Sequence, residues 1–169
     1  PASTPRREGR PTYMTHNRQV LLASRPQGPV TEQNFRIVDA PLRAPADGEV
    51  LVRNEWLSLD PYMRGRMSDA KSYVPPAKLD EPMTGQTVGE VLESRDARFK
   101  PGDKVLTSLG WQTHGVARGD DLVTIDARRA PASYYLGILG MPGITAWFGL
   151  FEIGQPKAGE TVIVSAASG

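Results

Sequence analysis

Four side chains that could do chemistry stand close together in the stretch "LSLDPYMRGRM": the carboxyl of Asp60, the phenol of Tyr62 and the guanidiniums of Arg64 and Arg66. Because Asp60 precedes Pro61, its backbone is restricted to extended geometry, and the fixed φ of the proline turns Tyr62 out of the strand line. A phenol with a pKa near 10 is protonated at neutral pH, so it can donate a hydrogen bond or a proton. The corner is therefore either a well-formed turn with an Asp60–Arg64 pair, or a site in which Tyr62 is the donor.

Two later segments have the composition of a nucleotide site. The continuous apolar run "TVIV" predicts a strand covered on both faces, and the small-residue turn "SAASG" follows it as a phosphate-binding turn would. The segment contains one glycine, Gly169, so the pattern alone leaves nucleotide binding as one alternative. Thr145 in "GMPGITA" either bonds a carbonyl three or four residues earlier or reaches a cofactor. Arg64 and Arg66 are either solvated or reach a phosphate.

The composition excludes several classes of protein. The chain has 169 residues, no cysteine and two histidines, so thiolate chemistry and thiolate zinc sites are excluded and nothing predicts a metal. A net charge of +1 gives no field that would favour nucleic acid. No apolar run reaches the length of about 18 residues that a membrane span needs, so we expect no membrane partner and a cytoplasmic location.

The elements that must position these groups are mostly short strands. Residues 1–13 are polar and rich in proline and are interpreted as a disordered tail or a cloning remnant. Residues 14–128 contain several short strands separated by turn residues, which predicts a small β-barrel or sandwich. In the longest strand, Val50, Val52 and Trp56 are expected on one buried face.

Particular turns and helices support this division. Pro101-Gly102 fits a type II turn, and Gly85 and Gly89 indicate a sharp bend or a close backbone approach. Residues 129–169 change to helical character. "ITAWFGLFEIG" is apolar nearly all round and is expected to be buried on most faces and to end at Gly154.

Taken together, four segments resemble one known family: "LSLDPYMRGRM", "GQTVGEVLESRDARFKPGDKV", "LGILGMPGITAWFGL" and "PKAGETVIVSAASG". In this order and spacing they are similar to the zinc-independent branch of the medium-chain dehydrogenase/reductase superfamily, most of all to the prostaglandin, alkenal double-bond and curcumin reductases. The resemblance implies a mainly β fold, in which a GroES-like β-barrel domain precedes the truncated start of an α/β Rossmann domain at residues 129–169. Members are about twice this length, so the chain is expected to be an N-terminal fragment, inactive by itself.

The resemblance also implies a function. NADPH would reduce the carbon–carbon double bond of an enone or alkenal without zinc, in a full-length protein that forms a homodimer. Tyr62 would be catalytic and Met141 and Thr145 would approach the nicotinamide, while the pyrophosphate turn would consist of Ser165, Ala166, Ala167, Ser168 and Gly169. Two alternatives remain: a non-catalytic barrel module of the GroES or SH3-like kind, and a quinone reductase of the same superfamily.

Overall fold

The chain folds mainly into antiparallel strands. The structure, a computed structural model, describes residues 16–72 and 74–165. Its strands are β1 (His16–Leu22), β2 (Phe35–Pro41), β3 (Glu49–Leu57), β4 (Thr87–Ser94), β5 (Lys104–Thr107), β6 (His114–Arg118) and β7 (Val123–Thr124). The mainly β class predicted from the sequence is confirmed. The predicted tail at residues 1–13 lies outside the described residues, and the domain boundary at residue 128 stays a prediction.

Helical elements are few, and most are short. Helix α1 (Tyr62–Arg66) follows β3, and helix α2 (Met141–Trp147) continues directly into a π-helix (Phe148–Gly154). Three 3-10 turns complete the elements: Glu32–Asn34, Gly119–Asp121 and Ala132–Leu136. Among the described residues no helix is long and apolar enough to cross a membrane.

Two sheets pack against each other. One is the β1–β2 hairpin and the other has the strand order β6-β3-β4-β5-β7, with every pair antiparallel. Strand β1 also reaches the second sheet's connections, because the N–H of Val20 donates to the carbonyl of Trp111 at 2.8 Å and that of Leu22 donates to Glu81 at 3.1 Å. Strand β1 is therefore hydrogen-bonded along both of its edges, as a barrel-like domain requires.

Among the described residues the core has three parts: one inside the large sheet, one beneath α1, and a smaller one of Val88, Ile125 and Leu136. In the first, the β-branched residues Val50, Val52, Val91 and Val105 are completely buried, which suits the pleated surface of a sheet. The second consists of Leu22, Met63, Met67, Ala77 and Met83, with Phe35 and Trp111 packed against it. The corner that carries Tyr62 therefore lies on a hydrophobic cluster of its own.

The predictions for the turn at Gly102 and for Gly89 are confirmed, whereas Gly85 lies outside the strands and a Cβ there would meet side chains rather than backbone. Gly102 has a φ of +90°, and the N–H of Asp103 donates to the carbonyl of Lys100 at 3.1 Å, which closes the turn. A Cβ at position 89 would overlap the carbonyl oxygen of Arg53 on β3, so only glycine lets the two backbones approach this closely.

The expected burial of Trp56 with Val50 and Val52 is wrong. The side chain of Trp56 is 52% exposed. The register between β3 and β4 shifts twice, between Leu51 and Val52 and again between Asn54 and Trp56. Each shift breaks the simple alternation of faces, so a two-residue periodicity cannot be extended from Val50 to Trp56.

Residues 141–154 are helical and end at Gly154, as predicted, but they are not buried. The side chains of Ile144, Trp147, Phe148 and Phe151 are each about half exposed. The predicted strand "TVIV" is also wrong: within the described part of the chain, residues 161–164 pair with no strand, and Ile163 is 88% exposed. An apolar run needs a neighbouring strand to supply its hydrogen bonds before it becomes part of a sheet.

Candidate active site

Tyr62 opens helix α1, immediately after the proline turn. Pro61 has helical angles (φ −55°, ψ −34°) and caps the helix, because a proline at its start sacrifices no intrahelical hydrogen bond. The N–H of Met63 donates to the carbonyl of Asp60 at 3.0 Å. The chain therefore leaves β3 and turns at once into a helical turn, where Tyr62 is 37% exposed.

The opposite side of α1 anchors it to the core. Met63 and Met67 are one helical turn apart and each is 4% exposed, within the cluster that also contains Leu22 and Met83. Residues four positions apart share a helix face, so Met63 and Met67 hold the helix down while Tyr62 and Arg66 share a neighbouring face. The position of Tyr62 is thus fixed by buried contacts that do not involve its own ring.

The predicted ion pair between Asp60 and Arg64 is wrong. Nη2 of Arg64 donates instead to the carbonyl oxygens of Pro26 and Gly28, at 3.2 and 2.9 Å. These carbonyls belong to the loop after β1, 36 and 38 positions away, so local spacing could not indicate them. Arg64 is therefore not merely solvated, because it fastens α1 to the first hairpin; whether its other donors reach a phosphate stays a prediction.

A second arginine fixes the far end of the same helix. Nη1 of Arg25 donates to the carbonyl of Met67 at 3.0 Å, and Nη2 donates to the carbonyl of Ala77 at 3.2 Å. A guanidinium at a helix C-terminus satisfies carbonyls that have no intrahelical partner and complements the helix dipole. Arg25 therefore holds the C-terminal end of α1, and Arg64 of α1 links the helix to the backbone of the same β1–β2 connection.

Apolar side chains lie exposed beside Tyr62 in the sequence. Trp56 and Leu57 end β3 with 52% and 38% of their surface accessible, and Leu59 in the following corner is 70% accessible. We call Trp56, Leu57 and Leu59 the apolar rim. These residues were missed as site residues, although they lie in or beside the same stretch as Tyr62. Such a surface suits the hydrocarbon part of a small organic molecule.

The second predicted group lies on α2. Met141 and Thr145 are one turn apart on one exposed face, and the Thr145 hydroxyl donates to the carbonyl of Met141 at 2.7 Å. This is the intrahelical bond that was one of the two interpretations of Thr145. The structure therefore brings Met141 and Thr145 together, whereas Tyr62 lies on a different element.

The predicted pyrophosphate turn is only partly described. Ser165 is exposed at the end of residues 161–165, which form no sheet. Ala166, Ala167, Ser168 and Gly169 lie outside the described residues. The role of these residues in binding a cofactor stays a prediction.

Strong pKa shifts occur at surface ion pairs rather than at α1. The hydrogen bond from Arg43 lowers the pKa of Glu49 to about 2, and that from Arg98 lowers the pKa of Asp96 to about 2. Each carboxylate is hydrogen-bonded to an arginine close by in the sequence, so we interpret both as structural ion pairs. In the described residues no group of three or more histidine, aspartate or glutamate side chains could hold a metal ion.

What α1 offers chemically is a single phenolic donor beside an apolar surface. This arrangement on an antiparallel barrel-like domain defines a class, and the chain belongs to it: the family of the N-terminal domain of oxidoreductases, whose model matches residues 18–125. The predicted branch, the zinc-independent medium-chain reductases that include the prostaglandin, alkenal and curcumin reductases, is thereby confirmed.

Three similar proteins illustrate the relationship. The chain is 50% identical over 153 residues to the NADPH-dependent curcumin reductase of Escherichia coli, covering 90% of this chain and 44% of that protein. It is 44% identical over 158 residues to the NADP(+)-dependent 2-alkenal reductase of Nicotiana tabacum, covering 90% and 46%. The crystal structure of CurA from Vibrio vulnificus in complex with NADPH has a TM-score of 0.84 and 49% identity, covering 90% of this chain and 45% of that one. The chain thus spans less than half the length of the relatives it matches.

Proposed function

We propose that the protein to which this chain belongs uses NADPH to reduce a carbon–carbon double bond conjugated to a carbonyl. The observation that carries the proposal is the position of Tyr62: an exposed phenol on a helix that Arg25 and Arg64 anchor, which follows the exposed residues of the apolar rim in the sequence. The names of the similar proteins support the same chemistry, because they include a curcumin reductase and a 2-alkenal reductase. The substrate class is an α,β-unsaturated ketone or aldehyde.

The residues assigned to the cofactor are compatible with it. Met141 and Thr145 share an exposed helix face, and the Thr145 oxygen keeps lone pairs to accept a hydrogen bond after donating its own hydrogen. We propose that these two residues hold the nicotinamide end and that residues 165–169 hold the pyrophosphate. When bound, the dinucleotide supplies a hydride to the β-carbon of the acceptor.

Tyr62 acts on the other end of the conjugated system. Its Oη holds a proton and donates a hydrogen bond to the carbonyl oxygen of the acceptor, where negative charge develops as the double bond is reduced. The apolar rim binds the carbon chain and excludes water, which strengthens that hydrogen bond. The same phenol can act as the proton donor, since the reduced acceptor must gain one proton overall.

Replacing one hydroxyl tests this assignment. In the full-length enzyme, Tyr62→Phe removes the donor and keeps the ring, so we expect turnover of an alkenal to fall by about 10²- to 10⁴-fold. The dissociation constant for NADPH, measured by fluorescence titration, should change by less than about twofold, because the cofactor residues lie on other elements. Turnover is followed as the oxidation of NADPH at 340 nm.

A matched control separates the site from a general loss of a tyrosine. Tyr134→Phe changes another exposed phenol, in the 3-10 turn Ala132–Leu136, and should leave turnover unchanged. Turnover that survives Tyr62→Phe would remove Tyr62 from the mechanism, and a full-length protein inactive toward a broad panel of enones would defeat the proposed function. A homodimer and a cytoplasmic location are further parts of the proposal, to be checked by sedimentation equilibrium and by cell fractionation.

A further inference from the structure

Arg66 is the arginine of the α1 corner whose donors are not used. Its Nε is buried and has no hydrogen-bond partner, and its side chain forms no hydrogen bond or ion pair with any residue in the described ranges. The side chain as a whole is half-buried. A guanidinium carries five N–H donors and a permanent positive charge, so withdrawing it partly from water without a partner is unfavourable.

Its two neighbours show what a satisfied arginine looks like in the same corner. Arg25 donates to two carbonyl oxygens, those of Met67 and Ala77, and Arg64 donates to those of Pro26 and Gly28. These hydrogen bonds already anchor α1 to the β1–β2 connection. Arg66 adds nothing to that anchoring through its side chain, so a purely structural role leaves its buried Nε unexplained.

The charges of the corner are also not balanced. The carboxylate nearest to these three guanidiniums in the described residues is that of Asp69, 3.9 Å from Nε of Arg25 and itself 80% exposed. Arg25 and Arg64 bind neutral carbonyls, which satisfy donors but do not cancel charge. Among the described residues, no carboxylate lies within ion-pair distance of Arg66, so no neighbour cancels the charge of this guanidinium, which shares a helix face with Tyr62.

We propose that Arg66 binds an oxyanion beside Tyr62, either a carboxylate of the substrate or a phosphate of the dinucleotide. The inference rests on the proposed function, because that function places the substrate at Tyr62 and the dinucleotide beside the substrate. The planar fork of a guanidinium matches two oxygens of a carboxylate or phosphate, and such charge-assisted bonds are the strong ones. Bound in this way, the oxyanion satisfies the buried Nε and the uncancelled charge together.

Two measurements on the full-length protein distinguish the two sources. The first is the dissociation constant for NADPH in the wild type, Arg66→Gln and Arg66→Lys. The second is the ratio of kcat/KM for two alkenals of equal chain length, one ending in a methyl group and one in a carboxylate. A lost charge-assisted bond is expected to weaken NADPH binding, or to lower the carboxylate-to-methyl ratio, by about 10- to 100-fold in Arg66→Gln. Arg66→Lys keeps the charge without the fork and should lie between the two.

Controls keep the result specific. Arg36→Gln removes an exposed arginine that pairs with Asp80 and should change neither measurement. Circular dichroism and the melting temperature establish that Arg66→Gln is folded. If Arg66→Gln is folded and both the NADPH dissociation constant and the substrate ratio match the wild type, the proposal is overturned.

The proposal can also be tested if the enzyme proves inactive. Absence of turnover with either alkenal in the wild type counts against the proposed function and not against the anion site. Isothermal titration calorimetry with NADPH and with the saturated carboxylate of the same chain length then decides the matter. Binding of one of them that weakens about 10- to 100-fold in Arg66→Gln supports the site, and binding of neither, or binding equal in both proteins, overturns it.

Discussion

Apolar side chains are buried in the β-sheet core but exposed in the helical segment 141–154. Val50, Val52 and Val91 in strands β3 and β4 are completely buried, whereas Ile144 and Trp147 in α2 are each 57% exposed. The strand that carries Val50 and Val52 has a neighbouring strand on each side, because β3 pairs with β4 and with β6. In the helical segment, the rings of Trp147 and Phe151 pack on each other at 4.4 Å.

The difference shows that an apolar composition indicates that a segment needs to be buried, but does not by itself provide the elements that bury it. A helix that is apolar on most faces is stable only where other elements cover it. The sheet region contains its own covering elements in these residues, and segment 141–154 does not within the described ranges. Three measurements can break or sharpen this contrast.

The largest effect is expected for a matched pair of truncations. Leu22 is completely buried beneath α1, so Leu22→Ala should lower the free energy of unfolding by about 2–5 kcal/mol through lost burial and the cavity that remains. Ile144→Ala removes the same number of carbon atoms from an exposed position and should cost less than about 0.5 kcal/mol in the 169-residue chain. Urea titration followed by circular dichroism measures both. Equal losses for the two variants would show that segment 141–154 is as well packed as the sheet.

A smaller effect concerns pH and belongs to the sheet region alone. His114 on β6 is 3% exposed, and burial, together with the charge of Arg53 opposite it, lowers the pKa of its imidazole below 6.5. The unfolded chain then binds a proton near pH 6.5 that the folded chain does not bind until lower pH. Stability should therefore fall as pH is lowered from 7 towards the folded pKa, by at most about 1.4 kcal/mol per pH unit.

The substitution His114→Gln should flatten the stability profile between pH 7 and 5. Carboxylates held by arginine, such as Glu49 and Asp96, act at lower pH, because their contribution is lost as pH falls from their ordinary pKa values of 4.5 and 3.8 to their folded values of about 2. An NMR titration of the His114 ring gives the midpoint directly. A midpoint at or above 6.5 would contradict the assignment.

The smallest effect is spectroscopic. Trp147 is 57% exposed, whereas Trp111 is packed on the cluster beneath α1 and stacks on Phe35 at 5.2 Å. In acrylamide quenching, Trp147→Phe should remove readily quenched emission, and Trp111→Phe should remove protected emission. The reverse assignment would show that the two regions do not differ in burial as described.

The sequence predicted the parts of the fold that depend on neighbours in the chain. The turn at Gly102 and the close approach at Gly89 follow from backbone restrictions of single residues, and the strands follow from β-branched runs between turns. Trp56 could not be placed, because the register shifts in β3 arise from its pairing with β4. Residues 161–164 could not be placed either, since a strand exists only with a partner.

In the candidate site too, the features that depend on adjacent residues were predicted and those that depend on packing were missed. Tyr62 was found because its phenol, the preceding proline and the following arginines are contiguous in sequence. The partners of Arg64 were missed because Pro26 and Gly28 reach it only through the packing of the first hairpin. The buried Nε of Arg66 could not be recognised from spacing, because whether an arginine is satisfied depends on every element around it.

Three of the five methionines of the chain are Met63, Met67 and Met83. Their side chains lie together in the buried cluster on the inner side of the helix that carries Tyr62. Thioether side chains are unbranched and change rotamer at low cost, so a surface supported by them adapts its shape more easily than one supported by valine or isoleucine. The Tyr62 hydroxyl, which we propose to be catalytic, stands on this adaptable surface and can therefore reach carbonyl groups at different depths. We therefore expect the enzyme to accept carbonyl compounds of several shapes rather than a single substrate.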